Sequence, residues 1–346
     1  MPKPPPPLTI TPHTLLPLLP RIPTITVAAT VFAALTIYAA HVWPVVLLDG
    51  GLAALVLLAA AGWGAWPTAW LGFRTAPRSR QFLLALAVGT GLTSTFALIL
   101  GAAGLLNTAT AWALIILGGL VGIPRLITRR TDHPPAATAP SPRTVLARTL
   151  LLLPLAVPLG LMLLGATLPP GVLWIAEGRG YDVLEYHLQA PREYLAAGHI
   201  HFLPHNVYAS FPQQVEAQYL LLMHLLGDAY DAAIPAQLLH ALLGLAALAA
   251  LAAWSPPGWG RWLAVAVVGS VPWLAYVGCL AYVELGLLLY ATVAGGLLLQ
   301  SLTAPSLAPR TALAAGLCAG LAGASKYTGL ALVAALLAAA LLLTAA

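Results

Sequence analysis

The stretch "YDVLEYHL", Tyr181–Leu188, places two carboxylates, two phenols and an imidazole within one octet of a chain in which only 7% of residues are charged. Read as a helix, it puts Asp182 three residues before Glu185 and four before Tyr186, so all three share a face. Two carboxylates on one face can hold a hard divalent cation such as Mg or Mn through oxygen ligands. Alternatively, one of them acts as a base, its pKa raised by its neighbour and by a low dielectric. The plainer alternative is a pair of solvated loop acids, with Glu185 paired to Gln189 or Arg192. His187 and Tyr186 complete the candidate group. Pro191 breaks this helix or starts a second one, and Gly198 ends it. Two distant charges join the list: Glu284 in "YVGCLAYVELGLLLY" and Lys326 in "GLAGASKYTGL", each set in an apolar run. A charge at the centre of a membrane helix costs roughly 2.5–3.5 kcal/mol, and less near the interface. Such charges either snorkel to the headgroups or converge on a site.

The elements that must position these residues are apolar helices. At 60% hydrophobic residues the chain departs from a soluble globular mix, in which about a quarter of residues are charged. It reads as all-α, a polytopic transmembrane helical bundle, since about 20 apolar residues cross the hydrocarbon as helix. The apolar runs predict about ten spans, roughly 24–42, 46–66, 82–103, 108–124, 149–168, 232–253, 262–279, 283–301, 311–327 and 328–346. The shorter run 213–226 carries Glu216 and His224 and is expected to lie at the interface. On this count twelve of the fifteen Lys and Arg residues fall on one side, which the positive-inside rule makes cytoplasmic; Arg179, Arg192 and Lys326 fall on the other, with nine of the ten acids. The net charge of +5 is therefore a topology signal, and no nucleic-acid partner follows from it.

Connections divide the chain into an N-terminal four-span region at 1–124, a basic, Pro-rich cytoplasmic linker at 125–148, and a core at 149–346. Within the core, 169–231 is a large extracytoplasmic loop expected to contain short helices. It holds seven of the ten acids and five of the nine histidines, more specific chemistry than a spacer needs. The histidines of "GHIHFLPH", His199, His201 and His205, have zinc-like alternation, but no cysteine joins them and they read as loop residues. Cys279 and Cys318 sit in apolar runs as small hydrophobes.

The order "YDVLEYHLQAPREYLAAGHI", "HNVYASFPQQVEAQYLLLMHLLGD", "AYVEL" and "GLAGASKYTGL" resembles bacterial members of the GT-C class of integral-membrane glycosyltransferases, which includes dolichyl-phosphate-mannose protein mannosyltransferases and lipid A aminoarabinose transferases. The resemblance covers about 170–330. It implies a GT-C-like fold in a bacterial inner membrane with an extracytoplasmic catalytic face. It further implies inverting transfer of a sugar from a polyprenyl-phosphate donor to a hydroxyl of a glycan, lipid or protein acceptor. By that likeness Asp182 is the catalytic acid, Glu284 a second acidic position and Lys326 a contact to the lipid-linked phosphate, with Arg192 beside it; Asp182, Glu185 and Glu284 are the candidate metal ligands. Departures from the class pattern are Val183, where many relatives have a second acid directly after the first, and Phe211-Pro212, where relatives have Pro-Pro.

Two other classes compete with an enzyme. A transporter or flippase for a lipid-linked substrate also needs intramembrane charges facing a cavity, together with repeat symmetry and broken helices in matching halves. A non-catalytic membrane fragment of a transferase is the third, since "ALLLTAA" ends the chain inside an apolar run.

Overall fold

The computed structural model describes residues 21–73, 76–127, 140–175, 178–302 and 309–345. The leader, Glu177 and half of the expected linker, 128–139 with Asp132, lie outside them. The described residues are helical and contain no strand. In chain order the helices are α1 (Ile22–Tyr38), α2 (Trp43–Trp70), α3 (Arg78–Ala102), α4 (Thr108–Ile127), α5 (Pro142–Leu152), α6 (Ala156–Ala166), α7 (Gln189–Ala197), α8 (Glu216–Leu226), α9 (Ala233–Trp254), α10 (Trp259–Gly269), α11 (Pro272–Gly278), α12 (Glu284–Leu302), α13 (Pro309–Ser325) and α14 (Ala335–Ala345).

Helix stands at each of the ten expected segments, yet among the described residues five spans meet the length and hydropathy a bilayer crossing requires: 40–70, 78–102, 142–166, 233–254 and 284–302. Segment 262–279 is not one straight rod. It breaks between α10 and α11 by 57°, and counting that pair as one crossing brings the number to six. The cause is local: Pro272 at the first turn of α11 supplies no N–H to continue the ladder from α10. Among the remaining segments, 22–38, 108–122 and 327–340 form shorter apolar helices, and 311–327 falls on the 17-residue α13.

One buried core runs from Ala53 in α2 to Leu337 in α14, so the regions expected at 1–124 and 149–346 share it. A smaller cluster joins α1 to the α5–α6 unit and α10 through Val27, Val31, Leu35, Leu152 and Leu155. With no hydrophobic drive between lipid-solvated helices, close approach relies on small residues. A Cβ on Gly64 would run into the Ala85 carbonyl of α3, and one on Gly62 into the Gly118 carbonyl of α4.

Helix α8 departs most from expectation. Instead of lying at an interface it is buried on all sides from Glu216 to Leu225. Its polar residues face protein, not water: Gln218 Nε2 donates to the Thr90 carbonyl, Thr93 Oγ1 and Ser94 Oγ of α3 at 3.1, 2.8 and 2.7 Å. Gln214 reaches the same Thr90 carbonyl at 3.2 Å. An interior helix carrying these residues is tolerated because the Gln218 and Gln214 amide N–H groups find acceptors on α3. Gln218→Ala removes these bonds and opens a cavity, and is expected to cost about 2 kcal/mol. Unfolding in mixed micelles measures it; a loss below about 0.5 kcal/mol would show the network to be incidental.

Candidate functional site

The octet is delivered by a tight turn. Gly178, Arg179 and Gly180 all take positive φ, of 70°, 60° and 72°, and a Cβ on Gly180 would come within 2.6 Å of Leu280. A non-glycine at φ 60° costs roughly 1–2 kcal/mol, so this turn is held by its surroundings. It presses the start of the octet against the segment that leads into α12.

Residues Val183–His187 then wind as a π-helical turn, closed by Leu188 N–H on the Val183 carbonyl at 3.0 Å. The wider turn changes which side chains share a face. Tyr186 OH still reaches Asp182 Oδ2, at 3.4 Å. The Glu185 backbone carbonyl accepts from Asn206 Nδ2 at 2.8 Å, and the pocket that Asp182 lines does not include Glu185 in its wall. Glu185 instead lies close enough to Tyr181 to be the main cause that raises that phenol's pKa, with a smaller contribution from burial.

The pocket has a volume of about 300 Å3 and is lined by Tyr181, Asp182, Trp273, Tyr276, Val277, Tyr282 and Glu284. Two carboxylates 102 positions apart in sequence thus face one cavity. Lys326 joins them, its Nζ 2.6 Å from Glu284 Oε1. The lysine is placed by a break: at φ −160°, ψ 144° it interrupts helix between α13 and the turn Tyr327–Gly329. Glu284 opens α12, where the helix dipole favours a carboxylate, and its Oε2 accepts from Val283 N–H at 3.1 Å. The next free N–H of that helix, Leu285, is taken by His240 Nε2 at 2.9 Å. About a third of each side chain in the Lys326–Glu284 pair remains exposed (36% and 33%), so a ligand entering the pocket can reach it.

Below the pocket, His187 Nδ1 meets Glu216 Oε1 at 2.8 Å, with both side chains buried. His187 Nε2 and Glu216 Oε2 have no hydrogen-bond partner among the described residues. Tyr219 OH donates to the carbonyl of Tyr282, tying α8 to the pocket wall. Tyr186 is enclosed by Tyr208 and Phe211 at ring distances of 5.5 and 5.8 Å, and Phe211 in turn meets Tyr327, beside Lys326, at 5.8 Å. Burial, and after it the carboxylates of Asp182, Glu216 and Glu284, push the Tyr186 phenol well above its ordinary pKa. It therefore stays a donor to Asp182.

Arg192 is not brought to the pocket. It is exposed on α7, where its Nη1 donates to Gln189 Oε1 at 3.3 Å and its guanidinium lies 5.4 Å over the Tyr230 ring. Of the loop histidines, His205 pairs with Glu193 at 3.0 Å, while His199 and His201 bond the carbonyls of Ala197 and His199. Among the described residues no three His, Cys, Asp or Glu side chains gather to hold a metal ion, so Asp182, Glu185 and Glu284 do not form a ready-made cation cage.

Sequence reasoning missed Trp273, Tyr276 and Tyr282 as pocket walls, and Glu216 as the partner of His187. Trp273 and Tyr276, three residues apart after Pro272 and in edge contact at 4.5 Å, carried a signal in the proline break. The His187–Glu216 contact spans 29 positions and had none.

The fold and site define a helical protein with several membrane-length apolar helices and a pocket lined by two acids and by aromatic residues, one of the acids paired to Lys326. No family model, curated protein or solved structure matches the chain.

Proposed function

We propose that the chain is the membrane core of a GT-C-like glycosyltransferase that moves a sugar from a polyprenyl-phosphate donor to an extracytoplasmic acceptor hydroxyl. The observation that carries this reading is that Asp182 and Glu284 line one pocket while Lys326 pairs with Glu284, so that three remote segments bring these charges together. In the reaction the acceptor oxygen attacks the anomeric carbon while the bond from that carbon to the phosphate oxygen breaks. The electron pair leaves on the phosphate, and Asp182 takes the hydroxyl proton. One displacement inverts the anomeric centre. Tyr186, bonded to one oxygen of Asp182, holds the carboxylate and leaves the other oxygen for the acceptor.

Lys326 has three N–H donors, of which Glu284 takes one, so the others are available to phosphate oxygens. Glu284 orients the lysine in this scheme and is no base. Were a divalent cation used, Asp182 would be the residue to hold it, and the ion would supply charge stabilisation to the leaving phosphate. The polyprenyl tail stays among the apolar helices, and the aromatic walls Trp273, Tyr276 and Tyr282 offer faces to the sugar.

Lys326→Met is expected to lower kcat/KM for the lipid-linked donor about a hundredfold. Steady-state transfer of a labelled sugar from a polyprenyl-phosphate donor checks it, and an unchanged kcat/KM would remove the lysine from phosphate recognition. A second reading has one observation in its favour: the 57° break between α10 and α11 sits beside the pocket, as broken helices do in transporters. Movement of labelled lipid-linked sugar across vesicles with no glycosidic bond broken would establish that reading in place of transfer.

A further inference from the structure

The far end of α9 carries a second concentration of charge. Ala253 lies about 20 Å along the helix axis from His240, which accepts from Leu285 N–H next to Glu284. Three arginines meet there: Arg80 from α3, Arg148 from α5 and Arg261 from α10, with Arg261 in electrostatic reach of both others. Arg80 Nε donates to the Ala253 carbonyl at 2.8 Å, and its guanidinium lies 5.8 Å over the Trp254 ring. Arg261 Nη2 donates to the Ser255 carbonyl at 3.1 Å, and Arg148 lies 5.7 Å over Trp262. Capping the last carbonyls of α9 accounts for part of this. It does not account for three like charges held together. The ion pairs among the described residues all lie elsewhere, at His187–Glu216, His205–Glu193 and Lys326–Glu284. Moreover the Nε atoms of Arg148 and Arg261, and the indole N–H of Trp254, are buried with no acceptor among the described residues. Clustered cations that repel, and buried donors that lack acceptors, are both satisfied by one anion with several oxygens.

We propose that Arg80, Arg148 and Arg261 form a binding site for the phosphate group of an anionic phospholipid. Guanidinium forks match phosphate oxygens in pairs, and their planes are already set by the indole rings of Trp254 and Trp262. The lipid is favoured over a soluble phosphate by position. Arg80 starts the apolar helix 78–102, Arg148 lies near the start of 142–166, and Arg261 near the start of the bent pair. All three therefore stand where helices of membrane length end and headgroups begin. The site is independent of the pocket at Asp182 and stands or falls without it.

The purified full chain in phosphatidylcholine vesicles, with and without phosphatidylglycerol, provides the test, read as the melting midpoint by tryptophan fluorescence. Phosphatidylglycerol is expected to raise the midpoint by about 4 °C. The double variant Arg148→Gln/Arg261→Gln is expected to lose that rise, whereas Arg143→Gln, at an exposed position on the same helix, keeps it. Arg148→Lys/Arg261→Lys retains the charge without the planar fork and is expected to lose more than half of the rise. A full rise in either double variant overturns the site. An equal rise from orthophosphate in phosphatidylcholine alone overturns the lipid as its ligand and hands the arginines to a soluble phosphate.

Discussion

Asp182→Asn is expected to lower kcat for transfer from a polyprenyl-phosphate sugar about a thousandfold, the range a lost general base covers. The substitution keeps the size of the side chain and can still accept from Tyr186 OH, now 3.4 Å away, so the helix turn that carries it is preserved. What it removes is the ability to take a proton from the acceptor hydroxyl. Insertion into the membrane, yield and melting midpoint should match the parent protein. Glu185→Gln provides the contrast: Glu185 sits off the pocket, and its loss is expected to reduce turnover less than about tenfold. Parental turnover in Asp182→Asn would sink the assigned role, and equal losses in the two variants would mean that both act through local structure.

The second large effect falls on stability. His187 and Glu216 form an ion-pair contact at 2.8 Å with side chains only 1% and 2% exposed. Removing one partner of a buried pair strands the other, which costs about 3–5 kcal/mol. His187→Ala and Glu216→Ala are each expected to fall in that range, while the double variant costs less than their sum by about 2 kcal/mol, because neither group is then left alone. Unfolding of all four proteins in the same micelles closes the cycle. Strict additivity would show that the two groups do not interact across the 2.8 Å contact. Because Glu284 lies in electrostatic reach of His187, loss of the pair should also disturb the pocket above it.

How far the sequence led differs from element to element. Helices α2, α3, α9 and α12 were legible because each is a long apolar run, and long apolar runs leave a backbone in lipid no alternative to helix. The gathering of Glu284 and Lys326 was legible as a cost: a charge set in such a run needs a partner or water. Their direct pairing was not, since 42 positions separate them and only packing sets that distance. The interior place of α8 was hidden because glutamine and glutamate look the same facing water as facing Thr93, Ser94 or His187. The π-helical turn at Val183–His187 was hidden for a local reason, since its single extra residue leaves no mark in the spacing of apolar and polar positions.

By itself the sequence determined the helical class, the approximate position of each apolar segment and the few charges that lipid would not tolerate alone, because all three follow from the transfer of individual groups out of water. Only the tertiary structure decided which carboxylate faces the pocket, that Lys326 answers Glu284, and that His187 and Glu216 are buried together. Those outcomes depend on distances between remote segments, which are set by glycine contacts, a proline break and a widened turn acting at once, and no local run of residues encodes their sum.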